Sequence, residues 1–172
     1  MCIKGFYIED ELENINSLRR HFNLEGIELH YKEELLESPN QYYDLFCALK
    51  INFLIIDKNL DKKGMGYSGL DVLEEIRKQD SNIYIVLITS YVNEIEIKDL
   101  SEFDQVIDKG NLESELDSLI IRIKRSYNRS KVKQTVDEFE LGMTQKTSRL
   151  DSEILELKKI NETIEKLLKE KH

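Results

Sequence analysis

Two short apolar runs, each ending in a polar residue, constrain the fold of this chain more than any other feature. Residues 51–56 lead into Asp57, and residues 83–88 lead into Thr89. A strand that is apolar on both faces belongs in the centre of a parallel sheet, because helices then cover it on both sides. These two runs therefore predict an α/β domain built on a parallel sheet.

The rest of the chain supplies the outer strands and the helices of such a sheet. Further strands are predicted at residues 3–8, 27–31 and 104–107. Helices are predicted from Leu12, from Ser38 with Pro39 at the first helical position, around Leu70, Leu73 and Ile76, across residues 92–100, and from about Leu112. Strand and helix alternate five times, which predicts a doubly wound five-stranded parallel sheet followed by a long C-terminal helix.

Residues that follow the strands are the candidate functional site, because ligands of such sheets bind beyond the carboxyl ends of the strands. They are Glu9, Asp10 and Glu11 after the first strand, Asp57 after the third, Thr89 and Ser90 after the fourth, and Lys109 after the fifth. Carboxylate oxygens suit Mg²⁺. With a metal beside it, Asp57 is placed to attack a phosphorus atom, while Lys109 and Thr89 would stabilise the transferred oxygens.

Charge and composition exclude several classes of protein. The 172 residues carry a net charge of −9, and residues 1–110 hold 22 of the 34 acidic but only 12 of the 25 basic side chains. Because a segment this acidic repels the phosphate backbone of nucleic acids, we do not expect nucleic acid as a partner. The apolar runs are too short for membrane insertion, no leader pattern opens the sequence, and two cysteines cannot form a disulfide scaffold. We therefore expect a cytoplasmic protein.

Five segments in this order resemble the receiver domain of two-component response regulators, over residues 1–125. They are Tyr-Ile-Glu-Asp-Glu (7–11), Phe-Leu-Ile-Ile-Asp (53–57), Gly-Leu-Asp-Val-Leu-Glu-Glu-Ile-Arg (69–77), Val-Leu-Ile-Thr-Ser (86–90) and Val-Ile-Asp-Lys (106–109). The resemblance implies a flavodoxin-like fold and a signalling switch rather than an enzyme, beyond autophosphorylation from small phosphodonors and slow autodephosphorylation. It also implies a bacterial cytoplasm.

The same resemblance assigns roles to individual residues. Asp57 would be the phosphoacceptor, and Mg²⁺ would be held by Glu9, Asp10, Asp57 and the backbone carbonyl of Asn59. Thr89 and Lys109 would sense the phosphoryl group. The phosphodonor would be a histidine kinase or a phosphotransfer protein.

Several positions depart from the family pattern. Leu60 and Asp61 stand where Met-Pro is usual, and Gly69 comes about four residues late, so the loop at residues 58–68 is longer. Val106 replaces the usual switching aromatic residue. Gly110 replaces the usual proline after Lys109, so we expect a trans peptide bond there, because a non-proline cis bond costs roughly 2.5–4 kcal/mol.

Residues 126–172 form a predicted helical extension with a coiled-coil segment. Leu150, Ile154, Leu157, Asn161, Ile164 and Leu168 recur at alternating four- and three-residue steps. A polar Asn161 within such a seam fixes register and strand number. Val132, Val136, Phe139 and Met143 share this spacing, and the phase breaks between Met143 and Thr147, as in a stutter. We expect a homodimer or a different helical partner through residues 130–170, the alternative being a helix folded back onto its own domain.

The sequence is also compatible with a small number of other functions. A scaffold that ignores phosphorylation and a stand-alone receiver acting as a phosphate sink are the alternatives to a switch. A haloacid-dehalogenase-type phosphatase would need a second aspartate where Asn59 stands. Residues 122–133 carry six basic and no acidic side chains, a stretch that is more typical of a solvated helix face than of a binding site.

Overall fold

Five parallel strands form a single sheet at the centre of the N-terminal part of the chain. The structure is a computed structural model that describes residues 2–60 and 66–169, apart from the side chains of Leu12 and of residues 161–169. The strands are β1 (Ile3–Ile8), β2 (Ile27–Tyr31), β3 (Phe53–Asp57), β4 (Tyr84–Thr89) and β5 (Gln105–Asp108). Their order in the sheet is β2-β1-β3-β4-β5, with every neighbouring pair parallel. The predicted doubly wound, flavodoxin-like sheet is confirmed.

Four α-helices accompany the sheet among the described residues. They are α1 (Leu12–Leu24), α2 (Gln41–Leu49), α3 (Gly69–Gln79) and α4 (Leu112–Lys169). Short 3₁₀ helices lie at Val92–Glu94, Ile97–Ser101 and Lys109–Asn111. The long C-terminal helix begins at Leu112, as predicted from the sequence.

The predicted helix over residues 92–100 is wrong. Two 3₁₀ helices stand there instead, separated by Ile95 and Glu96 in extended conformation. The apolar residues of this segment do not share one buried face, since Ile97 is 88% exposed and Leu100 is 56% exposed. Without an apolar stripe to pack on the sheet, nothing favours a continuous α-helix here.

The predicted start of α2 at Ser38 and Pro39 is also wrong. Ser38 and Pro39 lie in a turn, in which the backbone N–H of Gln41 donates to the carbonyl of Ser38 at 3.3 Å. The helix begins only at Gln41, after Asn40. The Ser-Pro signal therefore marks the turn that precedes the helix rather than its cap.

The core consists of two apolar layers, one on each face of the sheet. Alternate strand residues enter opposite layers: Leu54 and Ile56 contribute to one layer, and Phe53 and Ile55 to the other. The first layer is completed by α2 and α3, through Tyr42, Phe46, Val72, Leu73 and Ile76. The second is completed by α1 and the start of α4, through Ile15, Leu18, Phe22, Leu116, Leu119, Ile120 and Ile123. This explains why the central strands are apolar at every position.

The chain divides into two compact units, Met1–Asn128 and Arg129–His172. Every apolar core residue in the described part of the chain belongs to the first unit. The second unit is helical, and its described apolar residues are exposed by 48–68%: Val132, Val136, Phe139, Leu141, Met143, Leu150, Ile154, Leu155, Leu157 and Ile160. In the part of the chain that the structure describes, no helix combines the length and apolar character needed to cross a membrane.

Candidate functional site

The carboxyl ends of four strands bring the predicted site residues to one edge of the sheet. Asp57 and Thr89 are the last residues of β3 and β4, and Glu9 and Lys109 directly follow β1 and β5. In the parallel register, Ile8 is level with Ile56 and Thr89 is level with Asp108, so the strand ends meet at similar height. The sheet alone therefore places a carboxylate pair, a hydroxyl group and an ammonium group together.

The ammonium group of Lys109 lies between the carboxylates. Its Nζ atom is 2.7 Å from Asp57 Oδ2, 3.0 Å from Glu9 Oε2 and 3.7 Å from Glu11 Oε2. Asp57 and Glu9 are buried, while Glu11 is half-buried and Lys109 is partly buried. Charges held together in such a poorly solvated place interact much more strongly than charges on the open surface.

Glu9 is held ionised by donors on several sides. Its Oε1 accepts the backbone N–H groups of Asp10 at 3.0 Å and Glu11 at 3.2 Å, and its Oε2 accepts the Tyr7 hydroxyl at 2.9 Å. Burial raises the pKa of Glu9, but its interactions with the side chains of Lys109 and Asp10 outweigh burial and lower the pKa overall.

Asp57 has the opposite balance. Its Oδ1 accepts a hydrogen bond from the backbone N–H of Asn59 at 3.1 Å, and its Oδ2 accepts one from the ammonium group of Lys109. Burial is the largest influence and raises the pKa of Asp57, Lys109 opposes it, and the neighbouring Glu9 charge raises it further. The pKa of Lys109 is raised, because its hydrogen bonds to Asp57 and Glu9 outweigh burial. The Asp57 carboxyl group is therefore less readily ionised than that of Glu9.

The acidic residues fit a divalent cation. One carboxylate oxygen each from Glu9, Asp10 and Asp57 lies within 4.8 Å of the others, close enough to share a metal ion. Three carboxylates against one lysine leave a local excess of negative charge, and carboxylate oxygens are ligands that Mg²⁺ accepts while keeping several waters. Asn59 reaches this group through its backbone N–H, which donates to Asp57.

Several solved structures share this fold. A response regulator receiver domain from Francisella is 21% identical, with a TM-score of 0.59 over 74% of this chain and 98% of that one. The response regulator TrrA from Thermotoga maritima, in complex with Mg²⁺ and BeF, is 24% identical, with a TM-score of 0.56 over 70% and 98%. An adenylate cyclase chain from Rhodopirellula baltica is 16% identical, with a TM-score of 0.60 over 79% and 97%.

The first unit has the receiver-domain fold. Neighbours described as CheY-like response regulator receiver domains match most of the chain, and a long C-terminal helix is also present. No protein-family model matches the sequence, and no curated protein matches it either. The likeness therefore rests on three-dimensional structure, and at these identities it shows the fold alone.

Thr89 completes the edge of the receiver fold that carries Asp57. Its side chain is fully buried, and its hydroxyl oxygen accepts the backbone N–H of Tyr91 at 3.1 Å. That contact uses the oxygen as an acceptor and leaves the hydroxyl proton for a donor role. Ser90, the next residue, is exposed.

The departures from the family pattern have structural consequences. Val106 packs partly buried against the core layer of α2 and α3, so that position holds an aliphatic contact. The Lys109–Gly110 bond is trans, as expected, and the Gly110 N–H donates to Asp108 Oδ1 at 2.8 Å. Asp61 and the middle of the predicted long loop lie outside the described residues.

Gly69 is required by the backbone beside Asp57. A Cβ atom added to Gly69 would lie 2.1 Å from the carbonyl oxygen of Asp57, a distance that no backbone contact tolerates. The Gly69 N–H also donates to the Lys58 carbonyl at 2.9 Å. Ser68 caps α3 at this point through a reciprocal pair of hydrogen bonds with Asp71. The start of α3 is thereby fixed against the end of β3.

Sequence reasoning missed two residues of the site. The Tyr7 hydroxyl contacts Glu9, and the Asn14 side-chain amide donates to Glu11 Oε2 at 2.8 Å and to Glu9 Oε2 at 3.4 Å. A period-two pattern places Tyr7 on the same face as Glu9, and three-residue helical spacing places Asn14 near Glu11. Both signals were present but are too common to single out one residue.

Proposed function

We propose that the chain is a phosphoacceptor response regulator of a two-component phosphorelay. In this proposal Asp57 accepts a phosphoryl group from a histidine kinase or a phosphotransfer protein. The observation that carries it is the Asp57 carboxylate at the sheet edge, 2.7 Å from Lys109 and within 4.8 Å of two further carboxylates. The receiver fold of the first unit supports the same role.

The chemistry follows from the groups around Asp57. An Asp57 carboxylate oxygen attacks phosphorus, and the bond between phosphorus and the donor atom breaks, leaving an aspartyl phosphate. Mg²⁺, held by Glu9, Asp10, Asp57 and the Asn59 carbonyl, would supply positive charge to the phosphoryl oxygens. Lys109 and the Thr89 hydroxyl would bind the oxygens that the transfer makes more negative.

Small phosphodonors provide the direct test. Acetyl phosphate with Mg²⁺ is expected to add one phosphoryl group to the full chain, seen by intact-mass spectrometry. Asp57→Asn is expected to show no addition, whereas Asp44→Asn, which removes an exposed carboxylate of α2, should behave as the wild type. No mass shift in the wild type, or an equal shift in Asp57→Asn, would defeat the proposal.

The output of this switch is assigned to the helical extension, with the receiver at residues 1–125 and the extension at 126–172. The exposed apolar residues of the second unit favour assembly with another helix. We place the protein in the cytoplasm, where kinases of this class meet their receivers.

A constitutive scaffold is the second candidate, favoured by the same exposed apolar residues. Light scattering of the full chain with and without beryllofluoride separates the two. Assembly that changes with beryllofluoride supports a switch, and unchanged assembly supports the scaffold. A biological effect that survives removal of the extension would instead indicate a phosphate sink.

A further inference from the structure

The exposed apolar side chains of the second unit form a seam of defined phase. Leu150, Ile154 and Leu157 follow one another at steps of four and three residues and are exposed by 58%, 49% and 61%. Four- and three-residue steps are the signature of positions a and d in a coiled coil, with Leu150 and Leu157 at d and Ile154 at a. Such a seam is expected to be covered by a second helix.

The charges that flank this seam identify the second helix. Lys146 and Glu153 occupy the g positions, and Asp151 and Lys158 occupy the e positions. In a parallel two-stranded coiled coil, each g residue lies beside the e residue of the following heptad in the other helix. The two cross-helix pairs would be Lys146 with Asp151 and Glu153 with Lys158, and both are attractive.

Within one helix these charges do not pair in that way. Residues five apart do not face each other on an α-helix, whereas residues four apart do. Glu153 instead pairs with Arg149, whose Nε lies 3.1 Å from Glu153 Oε1. Among the described side chains, the e and g charges therefore form no such pair within the helix, and their complementarity fits another copy of the same sequence.

We propose that α4 pairs with α4 of a second copy of this chain, parallel and in register, through a seam centred on Leu150, Ile154 and Leu157. This names the partner of the assembly role proposed above and rests on that role, but it does not rest on phosphorylation of Asp57. A parallel pair brings each residue beside its own copy, so the phase break after Met143 coincides in both helices. Asn161, the polar member of the predicted seam, lies beyond the described side chains.

Cysteine cross-linking in the full chain tests the orientation. Cys2 and Cys47 are free and exposed, so both are first replaced by serine. Leu157→Cys in that background is expected to form a covalent dimer on mild oxidation, because d positions of a parallel pair come within disulfide reach. Ser152→Cys, on the opposite side of the helix, is the matched control and should remain monomeric on a denaturing gel.

Charge reversal tests the register independently. Lys146→Glu opposes Asp151 and is expected to weaken dimerisation about tenfold in sedimentation equilibrium, whereas Lys146→Glu with Asp151→Lys restores the wild-type constant. A chain that stays monomeric at every concentration overturns the inference, and so does a dimer without the Leu157→Cys cross-link or the double-variant rescue. The phosphorylation proposal is read separately, from the mass shift of the same samples with acetyl phosphate.

Discussion

Lys109 is the single cation that contacts both buried carboxylates of the site in the described part of the chain. Asp57 and Glu9 lose most of their hydration by burial, and the ammonium group replaces part of it through contacts at 2.7 and 3.0 Å. Removing one partner of a buried ionic group leaves the other charges uncompensated, which is far more damaging than losing a surface pair. The stability of the metal-free protein should therefore depend on this lysine.

Lys109→Met is expected to lower the free energy of unfolding by about 3–5 kcal/mol in chelator at pH 7. The matched control is Lys124→Met, which removes an exposed contact of 2.7 Å with Glu25 and should change stability by less than about 1 kcal/mol. Urea unfolding followed by circular dichroism measures both. Equal and small effects would show that the carboxylates do not need Lys109.

Asp57→Asn is expected to raise the free energy of unfolding, whereas Lys109→Met is expected to lower it. The pKa of Asp57 is raised in the folded state by burial and by Glu9, so ionisation is less favourable in the folded than in the unfolded chain. Wild-type stability is therefore lost as the pH rises from the unfolded pKa through the folded pKa, and asparagine avoids this loss.

At pH 7 in chelator we expect Asp57→Asn to raise Tm by a few degrees, since about 1 kcal/mol moves Tm by about 2–4 °C in a chain of this size. At a pH below the unfolded value of about 3.9 the difference should vanish, because the aspartate is then neutral in both states. Thermal unfolding at both pH values provides the measurement. A variant that is less stable than the wild type at pH 7 would contradict the assignment.

At the scale of elements, the junction of β3 and α3 controls where Asp57 lies. Gly69→Ala places a methyl group against the Asp57 carbonyl and is expected to cost about 1–3 kcal/mol through strain, and to slow phosphorylation of Asp57. Gly142→Ala is the matched control: Gly142 lies inside α4 with nothing within 4 Å of an added Cβ, so helix stability should increase by about 1 kcal/mol. Denaturant unfolding and the acetyl phosphate assay separate the outcomes; a neutral Gly69→Ala would show that this backbone can shift freely.

Strand ends were the most predictable elements of this chain. Asp57 and Thr89 were placed correctly because continuous apolar runs mark buried parallel strands, and the residue after such a run lies at the carboxyl end of the sheet. Lys109 follows a shorter strand of mixed character, Gln105–Asp108, and was placed from the alternation of strands and helices. The predictions failed where tertiary packing, rather than local sequence, determines the conformation. The segment around Ile95 has helix-compatible spacing but no buried face, and the contacts of Lys109 with two carboxylates depend on side-chain conformations that spacing does not encode.

On the scale of the whole molecule, burial and exposure of apolar side chains separate along the sequence. Among the described residues, the apolar core ends at Ile123, and the apolar residues from Val132 onward are exposed. The first unit therefore contains its own core, while the described apolar residues of the second unit are exposed and, on the pairing of α4 proposed above, would be covered by a second copy. The two should respond differently to protein concentration, because association stabilises only the part that associates.

Ending the chain after Asn128 is expected to leave the first unit folded, because the truncation removes no core residue of either apolar layer. Its free energy of unfolding should stay within about 1 kcal/mol of the first transition of the full chain and should not change with protein concentration. The helical signal of the full chain, by contrast, should melt at a higher temperature as concentration rises. Circular dichroism melts over a wide concentration range compare the two chains. A truncated chain that unfolds without cooperativity, or a full chain whose melting ignores concentration, would show that this separation of stability is wrong.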